Sequence, residues 1–130
     1  MNWVFNSNRP IYAQLVEQIQ LGILNGEYPS GSNIPSVRTL ALEAEVNPNT
    51  MQKALSELES QGLLFTNRTA GRFVTEDMKM ISDLKEKKAK ESITEFLDGM
   101  NALGINGEEA IRLIGEILKG EDSKEDKIDE

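Results

Sequence analysis

Asn49, Thr50, Gln52 and Lys53 lie within five positions of one another and carry an amide pair, a hydroxyl and an ammonium group. Such short or flexible donors and acceptors suit hydrogen bonding to base edges and phosphates in a major groove. Arg38 and Thr39 precede them, and Arg68, Thr69 and Arg72 follow. An arginine beside the free amides at a helix start is a candidate phosphate clamp, and arginines at a hairpin tip can reach a minor groove. The plainer alternative for each is a solvated cation, with Arg38 paired to Glu43 or another carboxylate.

No competing catalytic set is visible. The 130 residues include no His and no Cys, which removes the usual general base, the thiol nucleophile and the commonest metal ligands. A Gly-rich phosphate loop, HExxH and a nucleophile elbow are all missing, and the acids fall on helical faces or in the tail. We therefore expect no enzyme, no cofactor and no metal site. A metal or small-molecule sensor built on acidic side chains carries little weight, because hard cations need carboxylates clustered in defined loops.

The net charge of −8 weighs against a polyanionic partner until its distribution is considered. Residues 1–75 hold five Lys+Arg and six Asp+Glu, whereas residues 76–130 hold nine and sixteen. The acid belongs mostly to the C-terminal part, and Arg38, Lys53, Arg68 and Arg72 can form a local basic surface. No apolar run is long enough to span a membrane and no signal segment is present, so a soluble cytoplasmic protein is expected.

The elements that must position these residues are legible in order. Pro10, with Asn8 as one possible cap, opens a helix whose stripe is Ile11, Leu15, Val16, Ile19, Ile23 and Leu24, ending at Asn25 and Gly26. Trp3 and Phe5 precede it in an alternating stretch that reads as an extended arm. The segment YPSGSNIP is an ordered loop, pinned by Tyr28 and Ile34, with Gly31 free to take a positive φ. Ser36 caps a short helix with Val37, Leu40, Ala41 and Ala44 inward. Asn47 then caps a helix with Pro48 in its first turn, and Met51, Ala54, Leu55 and Leu58 on its inner face. After Gly62, LLFT and RFVT form two strands around the turn NRTAG, with Leu64 and Phe73 expected to close the core.

From Glu76 a Lys- and Glu-rich helix is expected to about Gly99, with Met80 or Ile81, Leu84, Ala89, Ile93, Phe96 and Leu97 on its apolar side. Its KEKKAKE run reads as a solvated face of local ion pairs, with a nucleic-acid patch as the weaker alternative. Asn106 and Glu109 form a capping box for a last helix with Ala110, Ile111, Ile114, Ile117 and Leu118 on one side, stopped by Gly120. Residues 120–130 are expected to be a disordered acidic tail. Two striped helices have too little protein of their own to bury them. A dimerisation hairpin, residues 76–119, pairing Leu84, Ile93, Phe96, Leu97, Ile111, Ile114, Ile117 and Leu118 with a second copy, solves that problem.

The fold class is mainly α with a small β-hairpin: an N-terminal winged helix-turn-helix domain, residues 1–75, plus a C-terminal two-helix dimerisation element. Residues 9–75 resemble the DNA-binding domain of the GntR transcriptional regulators. The match rests on Pro29 and Gly31, IPSVRTLA from Ile34 to Ala41, Val46, Asn47 and Thr50, the AL..LE..GL pattern from Ala54 to Leu63, and Gly71, Phe73 and Val74. The resemblance implies operator contacts by Arg38, by Asn47, Asn49, Thr50 and Gln52, and by Arg68, Thr69 and Gly71. Thr69 stands where a wing glycine is common, and Pro48 and Gln52 where some members carry Arg. The short C-terminal part resembles the YtrA-like subgroup, whose helices dimerise, and shows no pocket-forming core comparable to the larger effector domains, which leaves a small-molecule effector open. The implied function is a homodimeric regulator of double-stranded operator DNA, acting as a repressor. The alternative is a winged-helix protein-interaction module that does not bind DNA.

Overall fold

The computed structural model describes residues 1–128, with side chains described as far as Glu121. Its elements are α1 (Ile11–Leu24), α2 (Val37–Ala44), α3 (Pro48–Ser60), β1 (Leu64–Asn67), β2 (Gly71–Val74), α4 (Met78–Ala102) and α5 (Gly107–Ile128). The chain divides into a compact unit of residues 1–85 and a second unit from residue 86 onward. The division falls ten residues beyond the expected boundary at 75. The first two turns of α4 cause the shift, because Ile81 is buried and Met80 and Leu84 pack against the N-terminal core.

That core forms where helical stripes meet. Leu15 and Ile19 of α1, Leu40 of α2, and Met51, Leu55 and Leu58 of α3 are essentially inaccessible. Each such side chain contributes about 1.5–3 kcal/mol by leaving water. Leu63, Leu64 and Val74 close the core from the hairpin side. Leu64 faces Val74 across the antiparallel pair, so Val74 takes the core place expected of Phe73. Phe73 instead pairs with exposed Phe65 on the opposite face, because successive strand side chains alternate. Segment 31–34 runs along the free edge of β2. Ile34 N–H donates to Arg72 O (2.9 Å), Val74 N–H to Ser32 O (2.9 Å), and Asn33 bridges Phe73.

Two details of α1 differ from expectation. Ile11 is exposed, while Gln14 and Gln20 are buried. The Gln14 amide accepts from Asn6 N–H (2.7 Å) and donates to Asn6 O (2.7 Å) and Arg9 O (2.9 Å). One turn later Gln18 accepts from Val4 N–H (3.1 Å) and donates to Val4 O (2.7 Å). Two glutamines at i, i+4 thus read the backbone of an extended arm at every second residue, as a neighbouring strand would. The arm stacks Trp3 on Phe5, with centroids 6.4 Å apart, against the core. Asn8 does not cap α1. Pro10 occupies the cap position, and Asn8 N–H turns back to Asn6 Oδ1.

In the second unit, Asn106 caps α5 by accepting from Glu109 N–H (2.9 Å). The Glu109 carboxylate pairs with Arg112. Helix α5 continues through Gly120 to Ile128, beyond the expected stop and into the stretch expected to be unfolded. Glycine inside a helix costs about 1 kcal/mol relative to alanine but does not end it unless the backbone turns left-handed. Gly120 is not among the glycines of positive φ. Residues 129–130 of the expected tail lie outside the described residues. Ala110, at the start of α5, is fully buried, whereas the apolar residues Ile93, Phe96, Leu97, Ile111, Ile114, Ile117 and Leu118 farther along the two helices are exposed. Among the described residues no helix is long and apolar enough to cross a membrane.

Candidate nucleic-acid interface

Helix α2, the turn and α3 form a helix-turn-helix whose outer face carries most of the expected residues. Ser36 caps α2 by accepting from Thr39 N–H (3.1 Å), and its hydroxyl also donates to Thr39 Oγ1 (3.0 Å). Thr39 is therefore part of the cap. Arg38, beside it, is exposed and makes no ion pair among the described residues, so the alternative pairing with Glu43 is not formed. The turn is closed by a left-handed residue: Glu45 has φ 57° and ψ 46°. Val46 N–H reaches back to Ala41 O (3.0 Å).

Asn47 caps α3 by accepting from Asn49 N–H (2.8 Å), which commits its side-chain oxygen and leaves its amide nitrogen available. Met51, Ala54, Leu55 and Leu58 are buried, so helical periodicity places Asn49, Gln52, Lys53 and Ser56 outward. Gln52 Nε2 donates to Ser56 Oγ (3.3 Å), a long contact readily exchanged for another acceptor. Thr50 is half-buried. The Lys53 ammonium lies 4.6 Å from the centroid of the Tyr12 ring, held towards the α1 side of the face. Burial first, then the charge and hydrogen bond of Glu57, raise the Tyr12 phenol above its ordinary value.

The hairpin tip extends beside this face. Thr69 directs both its N–H (3.1 Å) and its hydroxyl (2.9 Å) to Asn67 Oδ1, which shapes the tip and occupies the threonine. Arg68 is exposed and unpaired among the described residues. Gly71 has φ 93°, and a Cβ there would come within 3.2 Å of Asn33 Oδ1. Asn33 Nδ2 donates to Ala70 O (2.7 Å), so this loop residue holds the tip from the α2 side.

Arg72 departs from its expected role as a free cation. Its guanidinium is largely covered and bonded to Glu59 of α3. Thr66, opposite Arg72 across the hairpin, donates to the same Glu59 oxygen (2.6 Å). Burial alone would raise the Glu59 carboxyl, but the Thr66 hydrogen bond and the Arg72 hydrogen bond and charge outweigh it. The group is held below its ordinary value. An open cleft of about 610 Å³ runs between the start of α2 and the hairpin, and brings Arg38, Thr66, Gly71 and Arg72 to its walls.

The structure thus presents Arg38, Asn49, Gln52, Lys53 and Arg68 outward, while Thr39, Asn47, Thr69, Gly71 and Arg72 build their frame. Asn33, Tyr12 and Glu59 also touch these residues: Asn33 and Tyr12 have no local signature, and Glu59, although it stands in the AL..LE..GL pattern, shows nothing there of its contact with the hairpin.

Three helices with an outward polar α3 and a hairpin alongside define a winged helix-turn-helix regulator. Residues 11–74 match the family model for bacterial regulatory proteins of the gntR family. The uncharacterized HTH-type transcriptional regulator YhcF of Bacillus subtilis is 36% identical over 116 residues, 89% of this chain and 96% of that protein. The HTH-type transcriptional repressor YtrA of the same organism is 34% identical over 112 residues, 85% of this chain and 86% of its own length. A GntR family transcriptional regulator from Listeria monocytogenes superposes with a TM-score of 0.79 at 39% identity, over 86% of this chain and 98% of that one. AraR(DBD), solved in complex with operator ORX1, matches 58% of this chain and 96% of its own at 31% identity and a TM-score of 0.53. The chain belongs to the GntR family of transcriptional regulators, and its short C-terminal part is of the YtrA-like kind.

Proposed function

We propose that the protein is a homodimeric, sequence-specific repressor that acts in the cytoplasm on a palindromic operator. The observation that carries this reading is the outward face of α3, Asn49, Gln52 and Lys53, flanked by the unpaired Arg38 and Arg68. In this reading α3 enters the major groove, Arg38 meets a phosphate and Arg68 reaches the neighbouring minor groove. Asn47, Thr50, Thr69 and Gly71 contribute through backbone position more than through free side-chain groups.

A second copy is called for by the second unit. Ile93, Phe96, Leu97, Ile111, Ile114, Ile117 and Leu118 are all 39–71% exposed. Pairing these stripes with those of another copy removes the apolar surface from water and brings two α3 helices into one assembly. Leu84 stands apart from this set, since it already packs on the N-terminal core. The relatives support the reading: YtrA is described as a repressor, and AraR(DBD) was solved with an operator.

Selection of bound duplexes from a random pool tests it. A recovered palindrome with half-sites about one helical turn apart is expected. Three unpaired cations per copy, Arg38, Lys53 and Arg68, give a log–log salt slope of about −5 for a dimer. Arg38→Ala should flatten that slope, and Phe96→Asp with Ile114→Asp should yield monomers in sedimentation. No enriched sequence, or a wild-type monomer at micromolar concentration, refutes the reading.

A further inference from the structure

A two-stranded hairpin is marginal by itself, so its usefulness against DNA depends on what fixes it to the recognition helix. The root of the β1–β2 pair is fixed by Leu64 and Val74 in the core. The next pair outward on the same face is Thr66 and Arg72. Both side chains end on one oxygen of Glu59, a residue of α3, and beyond them lie only the tip residues 67–71. Asn33 holds the tip from the other side. Glu59 and Arg72 are partly withdrawn from water, with side chains 30% and 18% exposed, so the pair is less screened than one on the open surface.

We propose that Glu59 is a positioning residue for operator binding: its carboxylate latches both strands of the wing to α3 and sets where Arg68 is delivered. This rests on the operator reading above. It assigns Arg72 to the latch, and its consequence runs against charge counting. Removing an acid near a DNA-binding face ordinarily strengthens binding to a polyanion. Removing this one frees a wing and should weaken it.

The test uses the full chain and Glu59→Gln, which keeps size and shape. In the free protein, backbone amide order parameters at residues 67–71 should fall from about 0.85 to below about 0.6. Affinity for the duplex that the wild-type chain selects from a random pool should fall about tenfold, the loss expected of one charge-assisted bond. Protection at the minor-groove positions flanking each half-site should go, while the central major-groove protection stays. Arg72→Ala should do the same, and Arg72→Lys, which keeps a cation opposite the carboxylate, should retain more wing order than Arg72→Ala. Unchanged wing order with equal or tighter binding in Glu59→Gln overturns the proposal. If the wild-type chain selects no sequence, the operator reading fails, and the order parameters still decide the latch: a rigid wing in Glu59→Gln refutes it.

Discussion

Replacing Glu45 by glycine should stabilise the N-terminal unit although it removes a side chain. Glu45 follows the last residue of α2 in the left-handed region, at φ 57° and ψ 46°. The bonds around it, Glu45 N–H to Leu42 O (3.3 Å) and Val46 N–H to Ala41 O (3.0 Å), are those of a Schellman ending, a place where glycine is the usual residue. A side chain in that conformation costs about 1–2 kcal/mol. Glycine gives back about 0.4–1 kcal/mol through the greater freedom of its unfolded chain. The Glu45 side chain is exposed and takes no ion pair among the described residues, so its loss removes little. The balance is a gain of about 0.5–1 kcal/mol, or about 2–8 °C in Tm for a unit of this size. Thermal unfolding followed by circular dichroism, at one fixed protein concentration, reads it. Glu45→Ala is the control, because alanine meets the same left-handed penalty and should stay near wild type. A glycine variant no more stable than the alanine variant would refute the assignment of backbone strain to this turn.

Gln14→Ala should cost about 2–3 kcal/mol, since three hydrogen bonds between a buried amide and the arm are lost together. The arm should peel from α1, and the emission of Trp3, the single tryptophan, should shift to the red; unchanged emission would show that the aromatic stack alone holds the arm. Glu59 supplies a pH dependence. Its folded carboxyl lies below the ordinary 4.5, so its contribution is complete above that value and is lost as pH falls through the lowered one. The stability difference between wild type and Glu59→Gln should therefore close on acidification below about pH 4.5. A difference that closes well above that range would mean the carboxyl is not stabilised in its ionised form.

Much of the protein is written in short stretches of its sequence, because the forces that set helices, caps and turns act within a few residues. Asn47–Pro48 starts α3, Ser36 starts α2, Asn106 starts α5, and the three- and four-residue spacing of Met51, Ala54, Leu55 and Leu58 decides which side of α3 looks outward. The outward face of α3 follows from that spacing alone. Hairpin positions are less certain from sequence, since strand period two leaves the inward partner of Leu64 open between Phe73 and Val74, and only the pairing register selects Val74.

Tertiary structure decided which polar groups are free and which are spent. Glu59, Thr66 and Arg72 converge through a helix, a turn and two strands, and nothing local distinguishes Arg72 in a latch from Arg68 at an open tip. The arm is held because Gln14 and Gln18 lie one helical turn apart, a distance close to the two-residue repeat of an extended chain. Leu84 and Ile93 carry the same apolar signal on one helix, yet Leu84 meets the N-terminal core while Ile93 remains exposed. Periodicity shows that a face must be covered. Only the packed arrangement shows what covers it, because apolar contact is non-directional and takes whichever surface the fold brings near.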